Sequence, residues 1–174
     1  DLGYKTVSTN PCGEIPLCPY DSCRLLAINL YSYVVNPFKP DAYFDFDLFK
    51  KHVALAQRIM DDIIDLELEK IERIIEKIER IMKKIDEDPE NEEVKRAERV
   101  LWEKIYKKSG QGRRTGVGIT AEGDMLAALG LRYGTEEATE FSEKVHKTVA
   151  LGAYRSSVEM AKERGAFEIY NNER

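Results

Sequence analysis

From His52 to about Ile85, apolar residues recur at 60, 64, 71, 74, 78, 81 and 85, with Ile75 and Met82 widening the stripe. That near-heptad period predicts a long amphipathic helix, interrupted at Glu67. Glu69/Arg73, Glu76/Arg80 and Glu79/Lys83 stand at i,i+4 in the favourable order, each worth roughly 0.2–0.5 kcal/mol. Such a helix would span about 50 Å. Asp86-Glu87-Asp88-Pro89 stops it, and a second helix over about 91–108 carries Val94, Ala97, Leu101, Trp102 and Ile105 on one face. Two helices joined by a short acidic turn predict an antiparallel hairpin.

The flanks read differently. Residues 1–48 hold Pro11, Pro16, Pro19, Pro37 and Pro40 among many aromatic residues, and proline at that density forbids a long helix. Within them Cys23–Leu30 is an apolar run that fits a buried strand or a helical turn, with the strand preferred. After the hairpin, Ser109–Arg114 reads as a loop and Thr115–Thr120 as a short strand. Helices follow at about 121–130 and 135–164, the latter closed by Gly165, with a terminal strand expected at Ala166–Tyr170. Three regions result: 1–48, the charged helical hairpin 49–108, and 109–174. The alternation of strands and helices points to an α/β class, mostly helical.

Length and charge narrow the function. The chain has 174 residues and is 43% apolar and 34% charged, enough to bury a core in one ordinary domain or a piece of a larger one. Residues 67–108 hold 13 acidic and 12 basic side chains, so the charge is dense there but balanced. The net charge of −5 argues against nucleic acid as the main partner. No apolar run is long enough to span a membrane, and the start Asp1-Leu2-Gly3-Tyr4 has no secretory pattern. Cys12, Cys18 and Cys23 form an odd, clustered set without zinc spacing, with neither His52 nor His146 near in sequence. Reduced thiols in a cytoplasmic protein are the expectation.

Thr9-Asn10-Pro11-Cys12-Gly13-Glu14 is the segment richest in chemistry. Asn10 precedes a proline and is pushed towards an extended backbone. If the extension continues, side chains 10, 12 and 14 project to one side and bring an amide, a thiol and a carboxylate together. The alternative is a Pro/Gly turn whose cysteine is a small buried hydrophobe. Other signals are set aside. Gly116-Val117-Gly118-Ile119-Thr120-Ala121 fits a dinucleotide fingerprint formally, but it follows a loop instead of a strand. Arg113 and Arg114 have no phosphate cradle to complete and read as solvated charges or ion-pair partners. Asp61, Asp65 and Glu69 share a helical face without a histidine, so no metal is expected there. His52 and His146 read as ordinary surface or packing residues.

Asn10-Pro11-Cys12-Gly13-Glu14-Ile15-Pro16-Leu17, with Tyr20-Asp21-Ser22-Cys23 and Ala27-Ile28-Asn29-Leu30 after it, resembles the finger loop of ribonucleotide reductase large subunits. It most resembles the adenosylcobalamin-dependent class II enzymes. Gly112-Arg113-Arg114-Thr115-Gly116-Val117-Gly118-Ile119-Thr120, then Asp124-Met125-Leu126 and Ala128–Tyr133, resembles a barrel strand of the same family running into a helix. The resemblance implies a fragment of the family's ten-stranded α/β barrel. It implies that Cys12 becomes a thiyl radical and takes the ribose 3′ hydrogen, and that Glu14 takes the 3′-hydroxyl proton. It also implies that Asn10 hydrogen-bonds the substrate hydroxyls and that Cys23 belongs to the cysteine pair that delivers two electrons at C2′. Cys18 has no role in that pattern and is taken as structural.

The implied activity is reduction of ribonucleotides to deoxyribonucleotides for DNA synthesis. The implied partners are the ribonucleotide substrate, the remainder of the reductase chain and a thioredoxin-type reductant; a homodimer is admitted. Adenosylcobalamin is the implied cofactor, with no residue of this chain assigned to hold it and a diiron-dependent class left open. The family also needs a second reducing cysteine upstream and relay cysteines at its C-terminus, while all three cysteines here fall within residues 12–23. The segment alone is therefore expected to be inactive. Two other readings stand beside it: a non-catalytic helical interaction module on a reductase-like scaffold, and a small thiol-redox protein using Cys12 and Cys23.

Overall fold

The computed structural model describes residues 5–13, 15–22, 24–83 and 89–170, with the side chains of 89–91 left aside. Glu14, Cys23 and residues 84–88, including the expected helix end at Ile85, lie outside the described residues. In chain order the elements are β1 (Ser8–Thr9), β2 (Pro16–Leu17), β3 (Leu25–Asn29), a 3-10 turn (Leu30–Tyr33), β4 (Val34–Val35) and β5 (Tyr43–Phe44). Then come α1 (Phe46–Met82), α2 (Pro89–Gly112), β6 (Gly116–Thr120), α3 (Glu122–Ala128) and α4 (Glu136–Arg164). They divide into two compact units, 25–60 with 115–165, and 1–24 with 61–114 and 166–174. α1 gives its first part, to Met60, to one unit and the rest to the other.

In the unit 25–60/115–165, β3 and β6 pair in parallel, Leu25 opposite Gly116 through Asn29 opposite Thr120. β3 and β6 thus fall within the expected strands at 23–30 and 115–120, with Leu30 already in the 3-10 turn, and their parallel pairing across an intervening helical crossover is the α/β arrangement. The glycines of the formal dinucleotide fingerprint sit inside β6, so they form no phosphate loop. The core gathers Ile28, Leu30, Tyr33, Phe44, Phe49, Val53, Ala56, Met125, Leu126, Ala138 and Val145. Tyr33, Phe44 and Phe49 stack edge-on or tilted with centroids 4.9–5.8 Å apart, the offset geometry aromatic quadrupoles favour. His52 is exposed and lies edge-on to Tyr33, its Nδ1 2.9 Å from the Tyr33 hydroxyl, and burial raises the Tyr33 pKa.

The helix ends follow local chemistry. Asp45 caps α1, its Oδ1 accepting the Leu48 N–H at 2.9 Å, so α1 begins six residues before the His52 expected from the stripe. Thr135 caps α4 through the Ala138 N–H, and Gly165 ends it at φ +87°. α4 ends at Arg164 as expected and begins one residue after the expected 135, which is its cap.

In the other unit, α1 from 61 onward and α2 form the expected antiparallel hairpin. Glu79 pairs with Arg99 at 3.0 Å, Glu72 accepts from Tyr106 at 2.6 Å, and Asp65 accepts from Arg113 at 2.8 Å. Partner numbers rise on one helix as they fall on the other, which is the antiparallel register. α2 departs from the sequence reading in two ways. Its expected apolar face is largely exposed, with Val94 62% accessible, and the shielded side runs through Lys95, Glu98, Trp102, Ile105 and Ser109. The helix also continues through Ser109–Gly112, where a loop was expected, because Ser109 is fully buried and bonded. Ala166–Tyr170 forms a turn closed by Tyr170 N–H to Phe167 O at 2.9 Å, in place of the expected terminal strand. No helix among the described residues is long and apolar enough to cross a membrane.

Candidate functional site

The segment singled out by its chemistry forms the loop of a small antiparallel hairpin. Ser8 faces Leu17 and Thr9 faces Pro16, with Val7 N–H to Leu17 O at 3.0 Å extending the pairing. The loop 10–15 closes twice on Asn10: Asn10 N–H donates to Ile15 O at 3.1 Å, and Asn10 Oδ1 accepts the Ile15 N–H at 2.8 Å. A third bond, Gly13 N–H to Asn10 O at 2.9 Å, makes a tight turn that Gly13 permits by adopting φ +84°.

This geometry corrects the expectation of one extended row. A row with side chains 10, 12 and 14 on one side needs extended backbone throughout, and the turn at 11–13 breaks it. Asn10 is 4% exposed and faces inward, while Cys12 is an exposed free thiol at the loop tip. The structure thus brings Asn10 and Cys12 into one short loop without placing them side by side. Cys12 is not the small buried hydrophobe of the alternative reading. Among the described residues Cys18 is the buried thiol, with Sγ 3.6 Å from Asp21 Oδ2.

The same unit carries a set of ion pairs whose partners the sequence did not reveal. Asp21, its carboxylate shielded from solvent, has Oδ2 2.9 Å from Arg114 Nε. Arg24, 7% exposed, places Nε 2.5 Å from Glu67 Oε2, and its second fork donates to Ser109 Oγ at 2.8 Å. Ser22 Oγ stands 3.4 Å from Glu67 Oε1. Arg113 binds Asp61 Oδ1 at 2.7 Å, Asp65 Oδ1 at 2.8 Å and the Asp61 carbonyl at 2.9 Å. Desolvation pulls the Arg113 pKa down, but those carboxylates outweigh it and hold the pKa above its ordinary value. Asp61, Asp62 and Asp65 have carboxylate oxygens close enough for a metal, yet the fixed Arg113 charge already serves two of them. Both arginines are thus ion-pair partners, one of the two readings their sequence allowed. The signal that could have revealed Glu67 was its interruption of the apolar stripe.

Comparison with known proteins covers nearly the whole chain. The family described as ribonucleotide reductase, barrel domain, matches residues 4–174. The vitamin B12-dependent ribonucleoside-diphosphate reductase of Thermoplasma acidophilum is 35% identical over 163 residues, covering 94% of this chain and 17% of that relative. The protein of the same description from Mycobacterium tuberculosis H37Rv is 30% identical over 167 residues, 96% of this chain and 19% of the relative. The ribonucleoside-diphosphate reductase subunit alpha of Chlamydia pneumoniae is 26% identical over 94% of this chain and 12% of its own length. The chain spans less than a fifth of the length of these curated relatives. The family match over residues 4–174, nearly the whole chain, settles the family: this chain belongs to the ribonucleotide reductase barrel domain.

Proposed function

We propose that this chain is the radical-cysteine segment of an adenosylcobalamin-dependent reductase that converts ribonucleoside diphosphates to deoxyribonucleotides. The observation that carries the proposal is the Asn10-Pro11-Cys12-Gly13-Glu14 hairpin loop, within a chain covered to 94% by a reductase described as vitamin B12-dependent. The exposed Cys12 thiol at a loop tip suits attack by an initiating group held elsewhere in the parent. Adenosylcobalamin, bound in the parent, supplies the hydrogen-atom abstraction that makes Cys12 a thiyl radical.

Cys12 then takes the hydrogen from ribose C3′. Glu14 accepts the 3′-hydroxyl proton and returns it when the hydroxyl is restored, and Asn10, whose Oδ1 takes the Ile15 N–H, keeps its amide N–H for the substrate hydroxyls. The 2′ C–O bond breaks, oxygen leaves as water and a C–H bond forms in its place. Cys23 and a second cysteine of the parent provide the two electrons and two protons and end as a disulfide. Cys12 returns its hydrogen to C3′, so the radical is conserved. A thioredoxin-type reductant reopens the disulfide between turnovers, in a cytoplasmic parent that admits a homodimer. The segment alone lacks the second reducing cysteine and is inactive.

The test uses the intact parent with a ribonucleoside diphosphate and dithiothreitol, with and without adenosylcobalamin. Product that depends on the cofactor, and a Cys23→Ser variant that loses turnover, are expected. Reduction that proceeds without added cobalamin removes the cofactor assignment, and wild-type turnover by Cys23→Ser removes the reducing role.

A further inference from the structure

Within the unit 25–60/115–165, the first part of α1 and α4 run parallel. Lys144 stands over the Phe46 ring at 4.2 Å, Ser156 donates to the Ala54 carbonyl at 2.8 Å and Glu163 pairs with Arg58, so partner numbers rise together. Beside that seam the helices leave a groove of about 610 Å³, the size of a small-molecule site. Its lining holds five cations, Lys50 and Arg58 on α1 and Lys144, Lys147 and Arg155 on α4, against two carboxylates. Both carboxylates are already engaged, Glu163 by Arg58 and Glu159 by Lys162 at 2.7 Å. Lys50 reaches the exposed Asp47 at 3.5 Å, a contact worth little in water. Lys147 and Arg155 have no ion pair or hydrogen bond among the described residues. On the charged hairpin, by contrast, exposed arginines are matched, Arg96 by Glu92 and Arg99 by Glu79 and Glu103. The groove thus gathers a positive surplus on a chain whose net charge is −5. Like charges crowded round a concave site repel one another and focus their field on an anion that enters.

We infer that the groove between α1 and α4 is a binding site for a phosphorylated small molecule with an apolar body. Lys144, Lys147, Leu151 and Arg155 follow at i, i+3, i+7 and i+11 along α4, so the cations span about 16 Å of helix. A lone inorganic anion meets one end of such a row, whereas an extended ligand reaches along it. Leu151 lies between the cations, with Ala54 and Gly152 also in the lining, and gives the uncharged part of the ligand an apolar rest. A phosphate brings about 1.5–2 negative charges near neutral pH, so it offsets most of a surplus that one carboxylate would leave. The lysines serve it as point charges and Arg155 adds a planar fork. The inference is independent of the roles proposed for Cys12 and Cys23.

The test uses the intact parent and pyridoxal 5′-phosphate, which joins a phosphate to an aromatic body. Its aldehyde condenses with a lysine amine, losing water, and borohydride reduces the imine to a stable amine that peptide mass spectrometry locates. Trapping is expected at Lys144 or Lys147, lowered about tenfold or more by excess inorganic tripolyphosphate but less than about twofold by sodium chloride at equal ionic strength. Arg155→Glu, at an exposed position with no partner to lose, is expected to cut that trapping by about tenfold. Lys51→Glu makes the same charge change at an exposed position outside the groove lining and should alter it less than about twofold. Pyridoxal without the phosphate should label these lysines no more than other surface lysines. Trapping spread evenly over surface lysines, or equal trapping in the two variants, overturns the inference. Labelling of Lys144 and Lys147 by pyridoxal as strong as by its phosphate, or protection by sodium chloride as strong as by tripolyphosphate, overturns it equally.

Discussion

Asn10 serves the hairpin loop through its side chain as well as its backbone, because Oδ1 accepts the Ile15 N–H in a site almost closed to water. Removing that acceptor leaves a shielded donor unpaired, a cost of about 1–3 kcal/mol. Asn10→Ala is therefore expected to raise hydrogen exchange at the Ile15 amide by about tenfold or more, whereas Asn10→Asp keeps an acceptor oxygen and the protection. Equal exchange in both variants would show that the side chain does not hold the loop. The residue types of this loop were legible from spacing, but their arrangement was not. Pro11 suggested extension, while the Asn10–Gly13 bond and the positive φ of Gly13 turn the chain. Glu67 was visible only as a flaw in a stripe, since a distant Arg24 gives that flaw its meaning.

Among the elements, α1 and α4 meet where Gly152 lies against Val53. A Cβ added at Gly152 would stand 2.8 Å from Val53 Cγ1 and 3.3 Å from Val53 Cβ, and Val53 is fully buried. Gly152→Ala is expected to destabilise the fold by about 1–3 kcal/mol despite alanine's better helix propensity. Combining it with Val53→Ala should cost less than the two single losses added together. Additive losses in denaturant unfolding would contradict this close approach.

On the same pair of helices, Arg58 and Glu163 form a bidentate pair, and the guanidinium hydrogen bond holds the Glu163 pKa below its ordinary value. A depressed carboxylate contributes stability above its unfolded pKa and loses it as pH falls through the folded one. Thermal unfolding across the acid range should therefore show Glu163→Gln losing less stability than wild type as pH falls. An identical acid profile would mean the pair contributes nothing. Elements with their own punctuation, such as α4 between Thr135 and Gly165, were readable from the chain. The ends of α1 and α2 were not, because the Asp45 cap and the buried Ser109 outweigh the apolar period.

At the scale of the molecule, the described residues hold one parallel strand pair, and Leu25 at its edge is 58% exposed. Parallel sheets ordinarily have both faces covered, and the family relatives are more than five times as long as the matched stretch. The barrel-domain membership was readable from two motifs in order, whereas a closed barrel is more than these strands can form. The chain by itself, given adenosylcobalamin, dithiothreitol and a ribonucleoside diphosphate, is expected to yield no deoxynucleotide. Product from the isolated chain would show that residues 1–174 hold a complete site.

The most direct measurement is ribonucleoside-diphosphate reduction by the intact parent, with wild type and Cys12→Ser assayed side by side under adenosylcobalamin and dithiothreitol. The substitution exchanges one exposed sulfur for oxygen and touches no buried contact, so folding should be preserved. Deoxynucleotide from wild type and none from the folded Cys12→Ser protein is the predicted result. Reduction by Cys12→Ser at the wild-type rate would contradict the assignment of Cys12 as the radical site.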